Sequence, residues 1–234
     1  MSDTVTARLR PTSPLGWPAT GSGIVRRRRV LTGATLAMLI ALTGCTGSTG
    51  PEPAQGPAQT VPVAVAGPLC DALPSGTEPG NPNSLAGQTP DQALTWIPVL
   101  TTFEAAVRAT GLAAELAPAG GVTILAPTDD AFRAKFSTDN VDELLLKKTD
   151  TLRDLLREHV VTGAHSAAEL ATAGTVTTLT GSTLTVTAAG AGARVADRAE
   201  TVCADYRAAG ARIHVVDAVL GNLPDTAHEE EHHH

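Results

Sequence analysis

The apolar positions of this chain change period along its length. Between residues 91 and 117 they recur at helical spacing through Ile97, Leu100, Phe103, Val107, Leu112 and Leu116, which predicts helix. Pro118-Ala119-Gly120-Gly121 ends that region. Thr123-Ile124-Leu125-Ala126 then reads as a strand, stopped at Pro127 because proline has no N–H for a ladder. Thr128 or Asp129 is placed to cap a following helix that carries Phe132 and Phe136, and the acidic pair Asp129-Asp130 suits the positive end of its dipole. Residues 139–148 and 151–158 predict two short helices buried through Leu144, Leu145, Leu152, Leu155 and Leu156. His159 to Gly163 reads as a short strand, and residues 166–172 as a turn or two of helix.

After Gly174 the period becomes two. Residues 175–180 and 183–187 read as a hairpin about Gly181-Ser182, with further strands at 193–196, 201–204 and 212–216. Val216 to Leu220 closes the core. Helices come first and strands after, with one strand between. That order predicts an α+β domain, its helices packed on a mainly antiparallel sheet.

The N-terminal quarter has a different character. Residues 1–25 are rich in Pro, Gly, Ser and Thr. Four arginines, Arg26 to Arg29, precede an apolar run from Val30 to Leu42 and the exit Thr43-Gly44-Cys45. A basic segment, a short apolar segment and a small-residue exit make a secretory signal over residues 1–44, whose apolar run is too short to span a bilayer. Leu42-Thr43-Gly44-Cys45 resembles a bacterial lipobox, in which Cys45 would carry lipid; the alternative is an ordinary cleavable signal with a coincidental cysteine. The arginines also fit a loose twin-arginine pattern, a match that four in a row produce easily. Residues 46–68 lack the apolar side chains needed to fold and read as a tether. Residues 71–92 are turn-rich and predict an irregular arm wrapped on the domain surface. The expected organisation is signal 1–44, lipidated cysteine and linker 45–68, domain 69–224, and an acidic, disordered tail 225–234.

Composition narrows the function. The chain of 234 residues holds 17 basic and 24 acidic residues; residues 1–44 take six Arg and one Asp of these, leaving 11 basic and 23 acidic, a net of −12. Such a protein is repelled by phosphate backbones, so no nucleic-acid partner is expected. No G-x-S-x-G elbow, phosphate-binding P-loop or dinucleotide fingerprint is present. The three cysteines have no C-x-x-C spacing, which argues against a zinc ribbon or thioredoxin-type site. His228-Glu229-Glu230-Glu231-His232 matches H-E-x-x-H, but it lies at the chain's end without an apolar face or a third ligand. A solvated tail is the expectation, with no metal and no cofactor.

Three segments line up in order: Thr123 to Phe132, Leu156-Arg157-Glu158-His159-Val160-Val161, and Ala211 to Leu220. Their sequence and spacing resemble the fasciclin domain over residues 93–224, and among fasciclin proteins the single-domain surface lipoproteins and secreted antigens of mycobacteria and related bacteria. Glu158 stands where that family usually has Tyr, Leu125 where Phe is common, and Gly221-Asn222 interrupts the usual ending. The resemblance implies a non-enzymatic, membrane-anchored extracytoplasmic lipoprotein whose partner is a cell-surface or matrix protein, with the exposed parts of the helices at 97–117 and 138–158 as contact surface. A carrier for an apolar or lipid ligand, held between helices and sheet, is the alternative.

The same comparison weighs the candidate residues. His159 reads as a general base partnered by Asp129 or Asp217, or as a buried neutral imidazole bonded to the Thr128/Asp129 corner; the resemblance favours the structural role for Thr128, Asp129, His159 and Asp217. With Cys45 lipidated in an exported chain, Cys70 and Cys203 are expected to pair, two free thiols being the alternative.

Overall fold

The computed structural model describes residues 62–228. The signal, Cys45, most of the tether and Glu229 to His234 lie outside the described residues. Seven helices and seven strands follow in order. They are α1 (Pro82–Leu85), α2 (Pro90–Leu94), α3 (Thr101–Thr110), β1 (Val122–Pro127), α4 (Asp129–Lys135), α5 (Thr138–Leu146), α6 (Thr149–Glu158), β2 (Val160–Thr162), α7 (Ala167–Ala173), β3 (Thr175–Thr177), β4 (Thr183–Ala189), β5 (Gly192–Val195), β6 (Ala199–Ala208) and β7 (Ala211–Val216) among the described residues. Short 3-10 turns at Cys70–Ala72, Pro98–Leu100 and Leu112–Leu116 join them.

The sheet runs β2-β1-β7-β6-β5-β4-β3. β1 lies parallel to β7, and the other ladders are antiparallel. The sheet curls until its two edges meet: Leu179 N–H donates to Val160 O at 2.8 Å and Val161 bridges Thr178. Closure of this kind removes the unpaired strand edges that invite association. The α+β expectation holds, with a mixed and nearly closed sheet.

The curled sheet separates two cores. β1 is buried along its whole length, so its alternating side chains serve both. Ile124 packs into a core with Leu100, Phe103, Leu112 and Leu156 under the helices. Leu125 packs into a second, inside the curl, with Leu170, Val186, Val195 and Leu220. Leu, Ala and Val supply most of both cores because the domain has few aromatics to bury.

Several elements differ from expectation for identifiable reasons. The arm at 71–92 forms α1 and the start of α2, and buries Leu73 and Leu85 at 4% exposure or less. Its prolines begin helices: Pro82 and Pro90 stand at first-turn positions, where the missing N–H costs nothing. Asn81 caps α1 by accepting from Asn83 and Ser84 N–H at 3.0 and 3.1 Å. The helical pattern at 91–117 is divided into four pieces, broken at Pro98 and at Gly111, whose φ of 64° ends α3 in a left-handed cap. β6 is ten residues long against four expected, because two register shifts interrupt its alternation, with Asp205 at φ 72°. The ordered domain also passes residue 224: Thr226 is buried, its N–H donates to Lys135 O at 2.8 Å, and its hydroxyl accepts from Ser137 N–H at 3.1 Å.

Candidate functional site

The corner at the end of β1 forms through local rules and then reaches outward. Thr128 caps α4, its hydroxyl accepting from Ala131 N–H at 3.0 Å, and its own N–H donates to Val216 O at 3.0 Å. Asp129 does something the local sequence does not show. Leu100, at the cap position of α3, offers no side-chain acceptor. The Asp129 carboxylate fills that gap, accepting from Thr102 N–H at 2.7 Å, Thr101 Oγ1 at 2.8 Å and Thr101 N–H at 3.3 Å. One helix's first residue therefore caps another helix and neutralises its positive end. Replacing Asp129 by alanine is expected to cost about 1 kcal/mol, read as a lower urea midpoint, while Asp130→Ala, on an exposed carboxylate, costs less than half as much.

His159 is the C-cap of α6 and is buried. Its Nδ1–H donates to Leu155 O at 2.8 Å, and its Nε2 accepts from Leu220 N–H at 2.8 Å. Its carbonyl accepts from Leu125 N–H at 2.8 Å, and its ring meets Phe103 edge-on. Burial holds its pKa down at about 4, so the ring is neutral at ordinary pH. The imidazole does not bond the Thr128/Asp129 corner; its acceptor nitrogen serves the segment after β7 instead. Asp217, on that segment, lies on the surface, its Oδ1 accepting from Glu200 N–H at 2.7 Å.

A second interior histidine, His214, lies in the last of the three aligned segments, on β7. Its Nδ1 accepts from Asp205 N–H at 3.1 Å and its Nε2–H donates to His165 O at 2.9 Å. Burial lowers its pKa as well. It fastens the bulge of β6 to the entrance of α7. The available signal in the sequence was a histidine set inside the apolar run Ile213-His214-Val215-Val216, all of it buried in the fold.

These geometries leave little for acid–base chemistry. Both nitrogens of each interior ring are engaged by backbone groups, and no cluster of three His, Cys, Asp or Glu suited to a metal occurs among the described residues. Glu158, in the place where the family usually has Tyr, is also committed: its Oε1 accepts from Thr180 Oγ1 at 2.7 Å and Ser182 Oγ at 2.8 Å, pinning the β3–β4 turn.

Cys70 and Cys203 form a disulfide, with Cα atoms 5.1 Å apart. It fixes the incoming arm against β6 beside backbone bonds from Leu69 N–H to Val202 O and between Ala66 and Ala204. Gly67 permits this approach, since a Cβ there would lie 2.3 Å from Val202 O.

The outer surface of the helices carries an open groove of about 530 Å³ between α2 and α3. Trp96 stands at its wall with 47% of its surface exposed.

Comparison with known proteins places this architecture. The fasciclin-domain family model matches residues 98–222. The protein sll1483 of Synechocystis sp. is 36% identical over 137 residues, which is 56% of this chain and 74% of that protein. The transforming growth factor-beta-induced protein ig-h3 of rabbit is 33% identical over 126 residues, 54% of this chain and 18% of ig-h3. The chain thus spans less than a fifth of ig-h3. Among solved structures, the FAS1 domain pair of the insect cell adhesion molecule fasciclin I aligns at 18% identity and a TM-score of 0.42, over 53% of this chain and 45% of that one.

Proposed function

The chain belongs to the fasciclin-domain family, and from that premise we propose that it is a non-catalytic adhesion or protein-interaction domain, held at the outer face of a membrane by lipid on Cys45. The observation that carries the reading is the direction of the motif side chains. Thr128, Asp129, His159 and Asp217 all bond backbone groups of the domain itself, so their polar atoms are spent on architecture. Recognition is left to the surface that they hold in shape. The Cys70–Cys203 disulfide supports an extracytoplasmic location, because reducing compartments keep such pairs open. The basic segment, apolar run and Leu-Thr-Gly-Cys exit support lipidation, and no helix among the described residues is long and apolar enough to cross a membrane.

The test is expression of the full chain in a bacterium with lipoprotein-processing machinery, fed an alkyne fatty acid. Wild-type protein is expected to take up the label, sediment with membranes and be digested by protease on intact cells. Cys45→Ser is expected to lose label and sedimentation, and cells making it should lose adhesion to a protein-coated surface that wild-type cells show. Sedimentation unchanged in the serine variant would refute the anchor. Equal adhesion by wild-type cells and cells lacking the protein would refute the interaction role.

A further inference from the structure

We propose that the groove between α2 and α3 is a saccharide-binding site, with Trp96 as the stacking platform. This goes beyond the anchored interaction domain proposed above, and binding in solution does not depend on lipid at Cys45.

The wall of the groove is unusual for this chain. Aromatic residues make up only 3% of it. Within the described residues Phe103, Phe132, Phe136 and Tyr206 are all buried at 3% exposure or less, while Trp96 is 47% exposed. Its mount is nevertheless rigid. Trp96 N–H donates to Ala93 O at 3.2 Å, and the next residue, Ile97, is anchored in the core. Gly80 packs directly on the Trp96 backbone at φ +84°, where an added Cβ would lie 2.6 Å from Trp96 O. An exposed ring on a fixed backbone loses little freedom when it is covered.

The rim supplies hydrogen bonding in both senses. Asp91 and Gln92 lie on α2, Thr95 is its C-cap, and Gln88 comes just before its N-cap; all four line the groove. The Gln88 amide is steadied by donation from Nε2 to Ser84 O at 3.1 Å, and its backbone oxygen accepts from Ala209 N–H at 2.8 Å. Thr95 Oγ1 donates to Gln92 O at 2.7 Å, which leaves its oxygen free to accept. The floor is small: Val107, Gly111 and Ala113.

That lining selects among ligand classes. A lipid tail needs an apolar trough, and one side of this groove is amides, a hydroxyl and a carboxylate. An anion needs an uncommitted cation, and Arg108 is paired with Glu104 at 3.4 Å. Proline-rich peptides dock in grooves with several aromatic walls, and this groove has one. A sugar ring offers a C–H face to the indole and hydroxyls that both donate and accept, and the groove's volume is within the ordinary range of small-ligand sites. Five of the lining residues, Gln88 to Trp96, precede the segment that the family model matches.

The test is isothermal calorimetry of the full chain against cellohexaose, maltohexaose, chitohexaose, arabinohexaose and galactohexaose. At least one is expected to bind. Trp96→Ala should weaken that binding by about tenfold or more, with Gln92→Ala weaker in effect and an unchanged melting temperature. Trp96→Phe, which keeps a stacking face, should fall between wild type and alanine and serves if the alanine variant does not fold. No binding to any of the five sugars would overturn the proposal. So would equal binding by the Trp96 and Gln92 variants, or binding only to a proline-rich peptide or to phosphatidylglycerol vesicles.

Discussion

Replacing His159 by alanine is expected to remove about 3–5 kcal/mol of stability, without touching any residue of the outer surface. The size follows from what the ring satisfies. Leu220 N–H and Leu155 O are both bonded by imidazole nitrogens in the interior, and the backbone N–H of His159 turns to Leu156 O, so Leu155 O has no helical donor in reserve. Alanine leaves a donor and an acceptor buried without partners, at about 1–3 kcal/mol each, and opens a space beside Phe103. Glutamine, whose amide oxygen can take over acceptance from Leu220 N–H, should be intermediate. Guanidinium unfolding of the three proteins checks the order. An alanine variant within 1 kcal/mol of wild type, measured as the change in unfolding free energy, would show the description of the junction to be wrong.

The same ring makes stability depend on pH. Its folded pKa, about 4, is below the value near 6.5 that an unfolded histidine has, so the unfolded chain binds the extra proton first. The stabilisation is complete above about pH 6.5 and drains away as pH falls towards 4, at about 1.4 kcal/mol per unit. His214 is shifted in the same direction and adds to the slope. Unfolding curves at pH 7, 6 and 5 should therefore lose stability steadily, and the His159→Gln variant should lose less over the same interval.

The second large effect is expected from the disulfide. Replacing Cys70 and Cys203 together by serine opens a loop spanning 133 positions, for which the chain-entropy relation allows up to about 5 kcal/mol. The loss should appear first where the arm meets β6. Hydrogen exchange at Ala66, Leu69 and Ala204, whose backbone bonds flank the bridge, should quicken before exchange at Ile124 or Ile213 in the centre of the sheet. Uniform quickening across the sheet would mean instead that the arm and sheet unfold as one unit.

Two of the elements legible in the amino-acid sequence close their hydrogen bonds within a few residues, whereas β1 and β7, which pair with each other across the chain, were legible through their apolar runs. Thr128 accepts from Ala131, and the β3–β4 hairpin pairs across Gly181-Ser182. The alternation of Thr175 to Thr187 could be read for the same reason. The arm at 71–92 misled because turn residues are ambiguous: Pro82 and Pro90 break a helix from inside but begin one from its first turn. β6 was read short because its bulges shift the inward positions out of strict alternation.

The amino-acid sequence alone determined the α+β order, the capped corner after β1, the hairpin and the family to which these belong. Only the tertiary structure decided what the corner and the histidine do. Asp129 caps a helix that begins 28 residues earlier, and His159 accepts from an amide 61 residues later. Partners so far apart are chosen by how the buried faces of helices and sheet pack, because a group removed from water must take whatever partner that packing brings to it. The exposure of Trp96 was decided in the same way: its neighbours Leu94 and Ile97 are drawn into the core, and the ring between them is turned out into the groove.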